Sequence, residues 1–230
     1  MALSADAPAT VAVSRWRDVY LDAGARLFAQ TGMFAAVTAL MLLMQASGAG
    51  GLAVSALTIA TMLPMVVLAP VTGRLADRVD SRVLLIAAGL TRALASLALA
   101  FTTETVPVIL LVTVLSIGTA ILQPTLGALI PAMVTREDLP KASAIGQSAG
   151  TIGLMAGPAI AGLLVGGFGT GAAMLMNAGC SLATVAAAFL ITTRRGGRHT
   201  VAATGGKAVA RGSWRMADDG VVRMMILGIA

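Results

Sequence analysis

Charged residues are scarce in this chain. They make up 11% of its 230 residues, whereas soluble domains usually carry about 25%. Hydrophobic residues make up 57%, and the mean hydropathy is +0.90. So few polar groups cannot cover a folded protein in water, which excludes both a water-soluble enzyme and a disordered chain. The chain is therefore predicted to fold in a lipid bilayer.

Cysteine and histidine are nearly absent. Cys180 is the single cysteine, so a disulfide framework and a cysteine-based metal cluster are both excluded. His199, the single histidine, lies among arginines in a polar segment, which is typical of a solvated histidine rather than a ligand or base. A membrane-embedded enzyme would need convergent acids, histidines or a serine–base pair. The sequence shows none of these, and we expect no metal, no cofactor and no enzyme activity.

Six apolar runs are long enough to cross the hydrocarbon core of a bilayer, which takes about 20 helical residues. They cover approximately residues 27–45, 52–72, 83–101, 106–134, 142–165 and 169–192. A seventh run extends from Val221 to Ala230, which is about half the length of a span. We therefore expect an all-α membrane protein, a six-helix transmembrane bundle followed by a truncated seventh helix.

The basic residues are distributed unevenly along the chain. All of the 16 Lys and Arg residues except Arg92 and Arg223 lie before span 1, between spans 2 and 3, between spans 4 and 5, or after span 6. The loops after spans 1, 3 and 5 contain none. By the positive-inside rule this pattern predicts both ends of the six-span segment to be cytoplasmic. The basic residues are topological anchors able to contact anionic lipid, which excludes nucleic acid as a partner.

The same pattern divides the chain into four predicted segments. Residues 1–26 form a cytoplasmic N-terminal segment, either an interfacial helix with Trp16 and Tyr20 at headgroup depth or a partly ordered tail. Residues 27–193 form the transmembrane bundle, 194–220 a flexible cytoplasmic linker, and 221–230 the start of the seventh span. A cleaved signal peptide at span 1 fits less well, because its apolar run exceeds the usual length of about 7–15 residues.

The loop after span 2 contains an unusual acid. Gly73 allows span 2 to pack closely at its cytoplasmic end, and Arg78 and Arg82 can pair with acids or lipid headgroups. Asp77 can pair with a neighbouring arginine or accept hydrogen bonds from a helix N-terminus. An ordinary anchor loop needs the basic residues but no Asp77, so this loop is a candidate functional element.

The loop after span 2 resembles the signature loop between spans 2 and 3 of the major facilitator superfamily of transporters. The matching residues are Gly73, Asp77, Arg78 and Arg82. Asp80 occupies a position where the superfamily usually has glycine, and Ser81 replaces a basic residue. An acid at Asp80 resembles the enterobactin-exporter and macrolide-efflux branch, as do span 3 with Arg92 and the connection between spans 4 and 5. The resemblance implies a twelve-span fold, with this chain as its N-terminal half built from two inverted three-helix repeats. It also implies that the loop acts as a conformational switch.

Span 5 carries a second motif, formed by Gly153, Gly157, Pro158 and Gly162. Glycines four and five residues apart are interpreted as one stripe that lets a neighbouring backbone approach, and Pro158 removes a backbone donor. The motif resembles that of span 5 in superfamily exporters, which implies export rather than uptake. Span 2 is interrupted similarly, by prolines at positions 64 and 70. Such paired interruptions point to inverted repeats and to span 5 as a moving element of the gate.

Arg92 lies at the centre of span 3, where an arginine costs about 2.5–3.5 kcal/mol on insertion scales. Gly89 and Ser96 share its helix face. The favoured interpretation is a structural or gating role inside the bundle, and the alternatives are contact with an anionic substrate and a lipid-facing snorkel. No acid is expected at matching depth, so its partner is a backbone carbonyl or a group in the missing half. Asp22 is placed at the membrane edge.

Gln30 in span 1 and Gln123 in span 4 are polar groups within apolar runs. The resemblance implies that spans 1 and 4 line the transport cavity, which makes both residues possible substrate contacts. The alternative is a hydrogen bond between helices, worth about 0.6 kcal/mol.

The function that the resemblance implies is secondary active export of a drug, siderophore or metabolite by alternating access, coupled to protons. The expected location is the bacterial inner (plasma) membrane, with lipid, a small-molecule substrate, protons and a C-terminal half as partners. One alternative is a non-functional truncated half-transporter. The other is the membrane domain of an ATP-driven exporter, which the short loops and the absence of a Walker-type phosphate loop disfavour.

Overall fold

The apolar runs form α-helices, because backbone polar groups in lipid must find hydrogen bonds within their own segment. The computed structural model describes residues 13–46, 48 and 50–193, and of residues 50, 74 and 76–78 only the helical backbone. Its helices are α1 (Trp16–Ala46), α2 (Gly50–Arg78), α3 (Ser81–Ala100), α4 (Thr105–Met133), α5 (Leu139–Phe168) and α6 (Thr170–Leu190). Each is long and apolar enough to span a bilayer. The predicted linker at 194–220 and seventh span at 221–230 lie outside the described residues.

Helices α1 and α2 are longer than the apolar runs that predict them. Helix α1 begins at Trp16, so residues 16–26 are neither a separate interfacial helix nor a tail. The reason is tertiary packing, since Asp18, Val19 and Asp22 are buried against the rest of the bundle. Helix α2 continues through Arg78, so most of the predicted loop after span 2 is helical. Hydrophobicity alone therefore underestimates the length of both helices, because their polar ends lie outside the apolar runs.

Short connections join the helices. Only Val79 and Asp80 separate α2 from α3, and the Asp80 carboxylate accepts a hydrogen bond from the backbone N–H of Arg82 at 2.8 Å. This bond caps the N-terminus of α3. Gly169 alone separates α5 from α6, with a φ of 80° that few other residues adopt. Adjacent helices are thereby held antiparallel.

The packing of the six helices follows a two-fold pattern. Helix α1 packs mainly against α5 and α6, and helix α4 packs mainly against α2 and α3. Helices α3 and α6 also pack extensively against each other. Exchanging α1 with α4, α2 with α5 and α3 with α6 leaves this pattern unchanged. It is the arrangement expected of two inverted three-helix repeats.

Small residues bring the central helices close together. The buried face of α1 is largely alanine and glycine, at Ala25, Ala29, Gly32, Ala36 and Ala39. In lipid, close backbone approach replaces the hydrophobic effect as the main source of helix association. Helices α2 and α5 are the least buried, and they expose large apolar side chains at Leu52, Val66, Met155, Leu163 and Phe168. These outer faces suit contact with lipid or with another membrane helix.

Candidate functional site

The interface between α1 and α5 depends on two of the predicted glycines. A Cβ atom added at Gly153 would lie 2.6 Å from the carbonyl oxygen of Leu27, and one added at Gly157 would lie 2.9 Å from that of Thr31. Both distances are shorter than real Cβ contacts, so any side chain would force the two backbones apart. Gly153 and Gly157 therefore set the distance between α1 and α5.

The remaining members of the span-5 motif do not join this interface. Gly162 is exposed, and in the described part of the chain no atom lies within 4 Å of a Cβ added there. Ala161 is fully buried and continues the stripe instead. The reason is geometric, since steps of four residues keep one helix face while a step of five rotates away from it. Pro158 is exposed, and α5 continues through it as a helix.

The segment between α2 and α3 lies at the end of the bundle where α1, α3 and α5 begin, here called the basic end. Arg82 donates a hydrogen bond to the carbonyl oxygen of Phe189 at 3.2 Å and lies 5.1 Å from that residue's ring centroid. This contact joins the start of α3, which the Asp80 carboxylate caps, to the end of α6. A Cβ at Gly73 would meet no atom within 4 Å among the described residues, so the expected close packing is not found there. The side chains of Asp77 and Arg78 lie outside the described part.

Arg92 lies in the interior of the bundle and is 1% exposed. Its guanidinium donates hydrogen bonds to the Thr119 hydroxyl on α4 and to the Ala29 carbonyl on α1, both at 3.1 Å. Room for the side chain is provided by Gly118, where a Cβ would lie 2.7 Å from the Arg92 Cγ. A lipid-facing snorkel is therefore excluded, and the guanidinium links three helices through neutral partners.

A second polar pair lies about one helical turn further along α3. The Asn177 amide on α6 donates a hydrogen bond to the Ser96 hydroxyl on α3 at 2.7 Å, and both side chains are fully buried. A Cβ at Gly32 would lie 2.5 Å from the Asn177 Oδ1 atom, so α1 also needs a glycine at this layer. The Arg92 and Asn177 contacts together join α1, α3, α4 and α6 in the interior of the bundle.

Gln30 and Gln123, predicted from separate spans, contact each other. The Gln123 side-chain amide donates a hydrogen bond to the Gln30 oxygen at 3.3 Å, and both side chains are half-buried. Gln30 follows Ala29, the partner of Arg92, so the pair lies close to the Arg92 layer. Each amide has more donors and acceptors than this one bond uses. The pair can therefore link α1 to α4 and also offer polar groups to a ligand.

Asp22 and Arg26 form an ion pair that the sequence reasoning missed. The Arg26 Nε atom donates to the Asp22 Oδ2 atom at 2.7 Å, and the two side chains are 12% and 2% exposed. Within the described structure, the Asp22 Oδ1 and Arg26 Nη2 atoms are buried without a partner. Asp22 is thus buried inside the bundle. The spacing of four residues between acid and base was the available sequence signal.

Contacts at the basic end join the N-terminal segment to two other parts of the chain. The Asp18 carboxylate accepts hydrogen bonds from the Thr193 backbone N–H at 2.9 Å and from the hydroxyls of Thr192 and Thr193. The Arg15 backbone N–H donates to the Met133 carbonyl at 2.8 Å, at the end of α4. The residues around the start of α1 therefore bind both the end of α4 and the segment that follows α6.

Replacing Asp18 with alanine is expected to lower the stability of the bundle, because three donors at Thr192 and Thr193 lose their acceptor. Hydrogen bonds to a charged group contribute about 1.5–3 kcal/mol each, so the loss should be plain in a thermal unfolding curve of the purified protein in detergent. Glu104→Ala is the matched control, since Glu104 is an exposed acid that makes no side-chain capping bond. Equal midpoints for the two variants would contradict the structural role of Asp18.

Comparison with known proteins identifies similar sequences. The sequence model of the Major Facilitator Superfamily matches residues 23–229. Macrolide efflux protein A of Enterococcus faecalis is 37% identical over 121 residues, which cover 50% of this chain and 37% of that protein. Macrolide efflux protein A of Streptococcus pyogenes is 40% identical over 108 residues, which cover 44% of this chain and 26% of that protein. The chain therefore matches well under half the length of these curated relatives.

Proposed function

Because the chain belongs to the Major Facilitator Superfamily, a family of membrane transporters, we propose that its full-length gene product is a secondary exporter of small molecules. The observation that carries this proposal is the family match across residues 23–229, which includes all six helices except the start of α1. The efflux proteins among its relatives support export, and their names favour a macrolide as the first substrate to test. Alternating access driven by protons is the proposed mechanism.

The proposed export is tested by drug accumulation in bacteria that lack their own macrolide exporters. Cells expressing the full-length gene product should accumulate less radiolabelled macrolide than cells with an empty vector. An uncoupler that collapses the proton gradient should remove the difference. Equal accumulation in both strains, with the protein present in the membrane, would contradict macrolide export.

The proposed location is the bacterial inner membrane, with the basic end of the bundle in the cytoplasm. The support is the concentration of Lys and Arg at this end, which the positive-inside rule assigns to the cytoplasmic side. The domain boundaries proposed for the polar segment at 194–220 and the apolar segment at 221–230 follow from the same rule. A second bundle supplied by the remainder of a twelve-span protein is proposed to pack against the exposed apolar faces of α2 and α5.

The orientation predicts opposite accessibility for two exposed acids. Glu104 lies in the connection between α3 and α4, and Glu137 lies in the connection between α4 and α5. In a protein with Cys180→Ser, a membrane-impermeant maleimide should label Glu104→Cys in intact cells but Glu137→Cys only after the membrane is opened. The reverse result would place the basic end outside the cytoplasm, and equal labelling in intact cells would contradict the six-span topology.

Gln30 and Gln123 are the proposed substrate contacts in the cavity. The support is their partial exposure near the middle of the membrane and the hydrogen-bonding capacity that their mutual bond leaves over. The switch segment, from Gly73 to Arg82, and the span-5 motif, from Gly153 to Gly162, are proposed to act in the change between inward- and outward-open states. For the switch segment, the support is the Asp80 cap at the start of α3 and the contact of Arg82 with the end of α6. For the span-5 motif, the support is the close α1–α5 interface.

A double-mutant cycle distinguishes a substrate contact from a bond between helices. If the Gln30–Gln123 bond only links helices, Gln30→Ala and the double variant should both lose about 0.6 kcal/mol of stability and leave the substrate KM unchanged. If the two glutamines contact the substrate, each single alanine variant should raise KM and alter the preference among macrolides, with stability nearly unchanged. An unaltered KM and preference in both single variants would contradict the proposed contact.

A further inference from the structure

The proposed proton-driven export needs a buried group in the transporter that can bind and release a proton. Among the side chains that the structure describes, Asp18 and Asp22 are the buried carboxylates. The Asp18 Oδ2 atom already accepts three hydrogen bonds from Thr192 and Thr193. Asp22 instead has one partner, Arg26, and its Oδ1 atom is buried without any. The two acids, one helical turn apart, are therefore chemically unequal.

We infer that Asp22 is the proton-binding site of this transporter, with Arg26 as the positioning residue that the proton displaces; the inference rests on the proposed proton-driven export. The proton binds to the unpartnered Oδ1 atom. It neutralises the carboxylate and weakens the 2.7 Å bond from Arg26 to the Oδ2 atom. Release of the proton restores the ion pair. The site thus has two states that differ by one proton and by the position of one guanidinium.

The depth of Asp22 agrees with such a role. Ala29 binds Arg92, which lies at the centre of α3, and so marks the middle of the membrane. Asp22 precedes Ala29 by seven residues, or about 10 Å along a helix. The hydrocarbon core extends about 15 Å from its middle, so Asp22 lies within it, toward the basic end. Acids at such depth in transporters mark ion and proton pathways.

Two opposing effects act on the carboxyl group. A buried charged oxygen without a partner is costly, and more so than a neutral polar group, which favours binding of a proton. The neighbouring guanidinium favours the charged form. Arg26 pairs with only one of the two carboxylate oxygens, through one of its guanidinium nitrogens. Neither the charged nor the protonated form of Asp22 is therefore strongly favoured over the other. A small rearrangement that moves Arg26 can therefore shift the balance between the two states.

The charged residues near this pair come from several helices. On α1 itself Arg17 and Asp18 precede Asp22, and on α5 Lys141 lies over the Trp16 ring at 4.9 Å. Helices α4 and α6 carry no charged residue, and α3 carries Arg82 and Arg92. The charges of α2, at Arg74, Asp77 and Arg78, lie near its C-terminal end, which is at the basic end. Within the described residues, Arg26 is the charged group in contact with Asp22.

The pair also contacts the helix that the span-5 motif makes the moving element of the gate. A Cβ at Gly146 on α5 would lie 3.3 Å from the Arg26 Nε atom, so the guanidinium packs directly on the α5 backbone. Gly146 begins the same stripe that Gly153 and Gly157 continue. Movement of Arg26 after protonation of Asp22 would therefore alter the α1–α5 interface. This contact connects proton binding to the conformational change.

The test compares Asp22→Asn with wild type, using the full-length protein in everted membrane vesicles and a radiolabelled macrolide. With an acidic vesicle interior, wild type should accumulate the macrolide uphill. Asp22→Asn should lose uphill accumulation and retain macrolide exchange across the membrane, because exchange needs no net proton movement. Asp22→Glu should restore part of the uphill accumulation. Glu104→Gln, at an exposed acid, should behave as wild type.

A second measurement does not depend on the substrate. Infrared titration of the purified protein should show a protonated-carboxyl band that changes with pH and is absent from Asp22→Asn, whereas Glu104→Gln should retain it. If wild type transports no macrolide, the proposed export fails, and this band alone then decides the assignment of Asp22. Uphill accumulation by Asp22→Asn, or an unchanged titrating band, would overturn the assignment. Loss of exchange together with uphill transport in a folded Asp22→Asn protein would also overturn it, because that result indicates a substrate contact.

Discussion

Replacing Gly157 with leucine is expected to abolish transport while the protein still inserts into the membrane. A side chain at this position meets the Thr31 carbonyl oxygen, the Ala35 backbone nitrogen and the Phe34 Cβ atom, all within about 3 Å. Two of these are backbone atoms and cannot rotate away, so α1 and α5 must separate. Insertion should persist, because leucine raises both the hydrophobicity and the helix propensity of span 5.

The same substitution at Gly179 is the matched control. Gly179 lies on α6, is exposed, and has no described atom within 4 Å of an added Cβ. Transport per inserted molecule should approach the wild-type value in Gly179→Leu and be lost in Gly157→Leu. Gly162→Leu separates the packing explanation from the sequence motif, since Gly162 belongs to the motif but not to the interface. Normal transport by Gly157→Leu would contradict the role of the α1–α5 contact.

Replacing Arg92 with alanine is expected to reduce transport more than expression. The variant loses two hydrogen bonds from a charged donor, each worth about 1.5–3 kcal/mol, and leaves a cavity beside Gly118. Removing the arginine also removes an insertion cost of about 2.5–3.5 kcal/mol, which favours normal amounts of protein in the membrane. The bundle should therefore insert but hold α1, α3 and α4 less firmly, which thermal unfolding and transport per molecule both measure.

Two further variants identify what Arg92 contributes. Leu94→Ala is the control, because Leu94 is 67% exposed on the same helix and should tolerate truncation. Arg92→Met keeps most of the side-chain volume and removes only the hydrogen bonds. Partial recovery of stability in Arg92→Met would assign the remaining loss to the bonds with Thr119 and Ala29. Wild-type efflux and stability in Arg92→Ala would refute the role of this residue as a link between helices.

The six helices of the described part of the chain were predictable from the sequence, because length and hydrophobicity decide which segments cross a bilayer. The positions where the helices end were less predictable. Residues 16–26 contain several charges, and only contacts such as that between Asp18 and Thr193 make them part of α1. Such contacts join residues far apart in the chain, so no local sequence pattern predicts them.

The internal contacts of the site were predictable only in part. Small residues on span 5 correctly indicated a close helix neighbour. The face of α5 that contacts α1 includes Gly157 and Ala161, however, and not the predicted Gly162. The expected partner of Arg92 was a backbone carbonyl or a group in the missing half; it binds the Ala29 carbonyl, and its bond to the Thr119 hydroxyl was not predicted. The burial of Asp22 was missed because its distance from the apolar run suggested the membrane edge. Burial there depends on α5 and α6 packing beside α1, which a single sequence does not reveal.

Transport by purified full-length protein in proteoliposomes tests the central claim most directly. With an acidic interior, an alkaline exterior and no ATP, the account predicts that radiolabelled macrolide accumulates inside above its external concentration. An uncoupler should release it, and Asp22→Asn should not accumulate it. Failure of the pH gradient to drive any accumulation, or accumulation that requires ATP, would contradict secondary export.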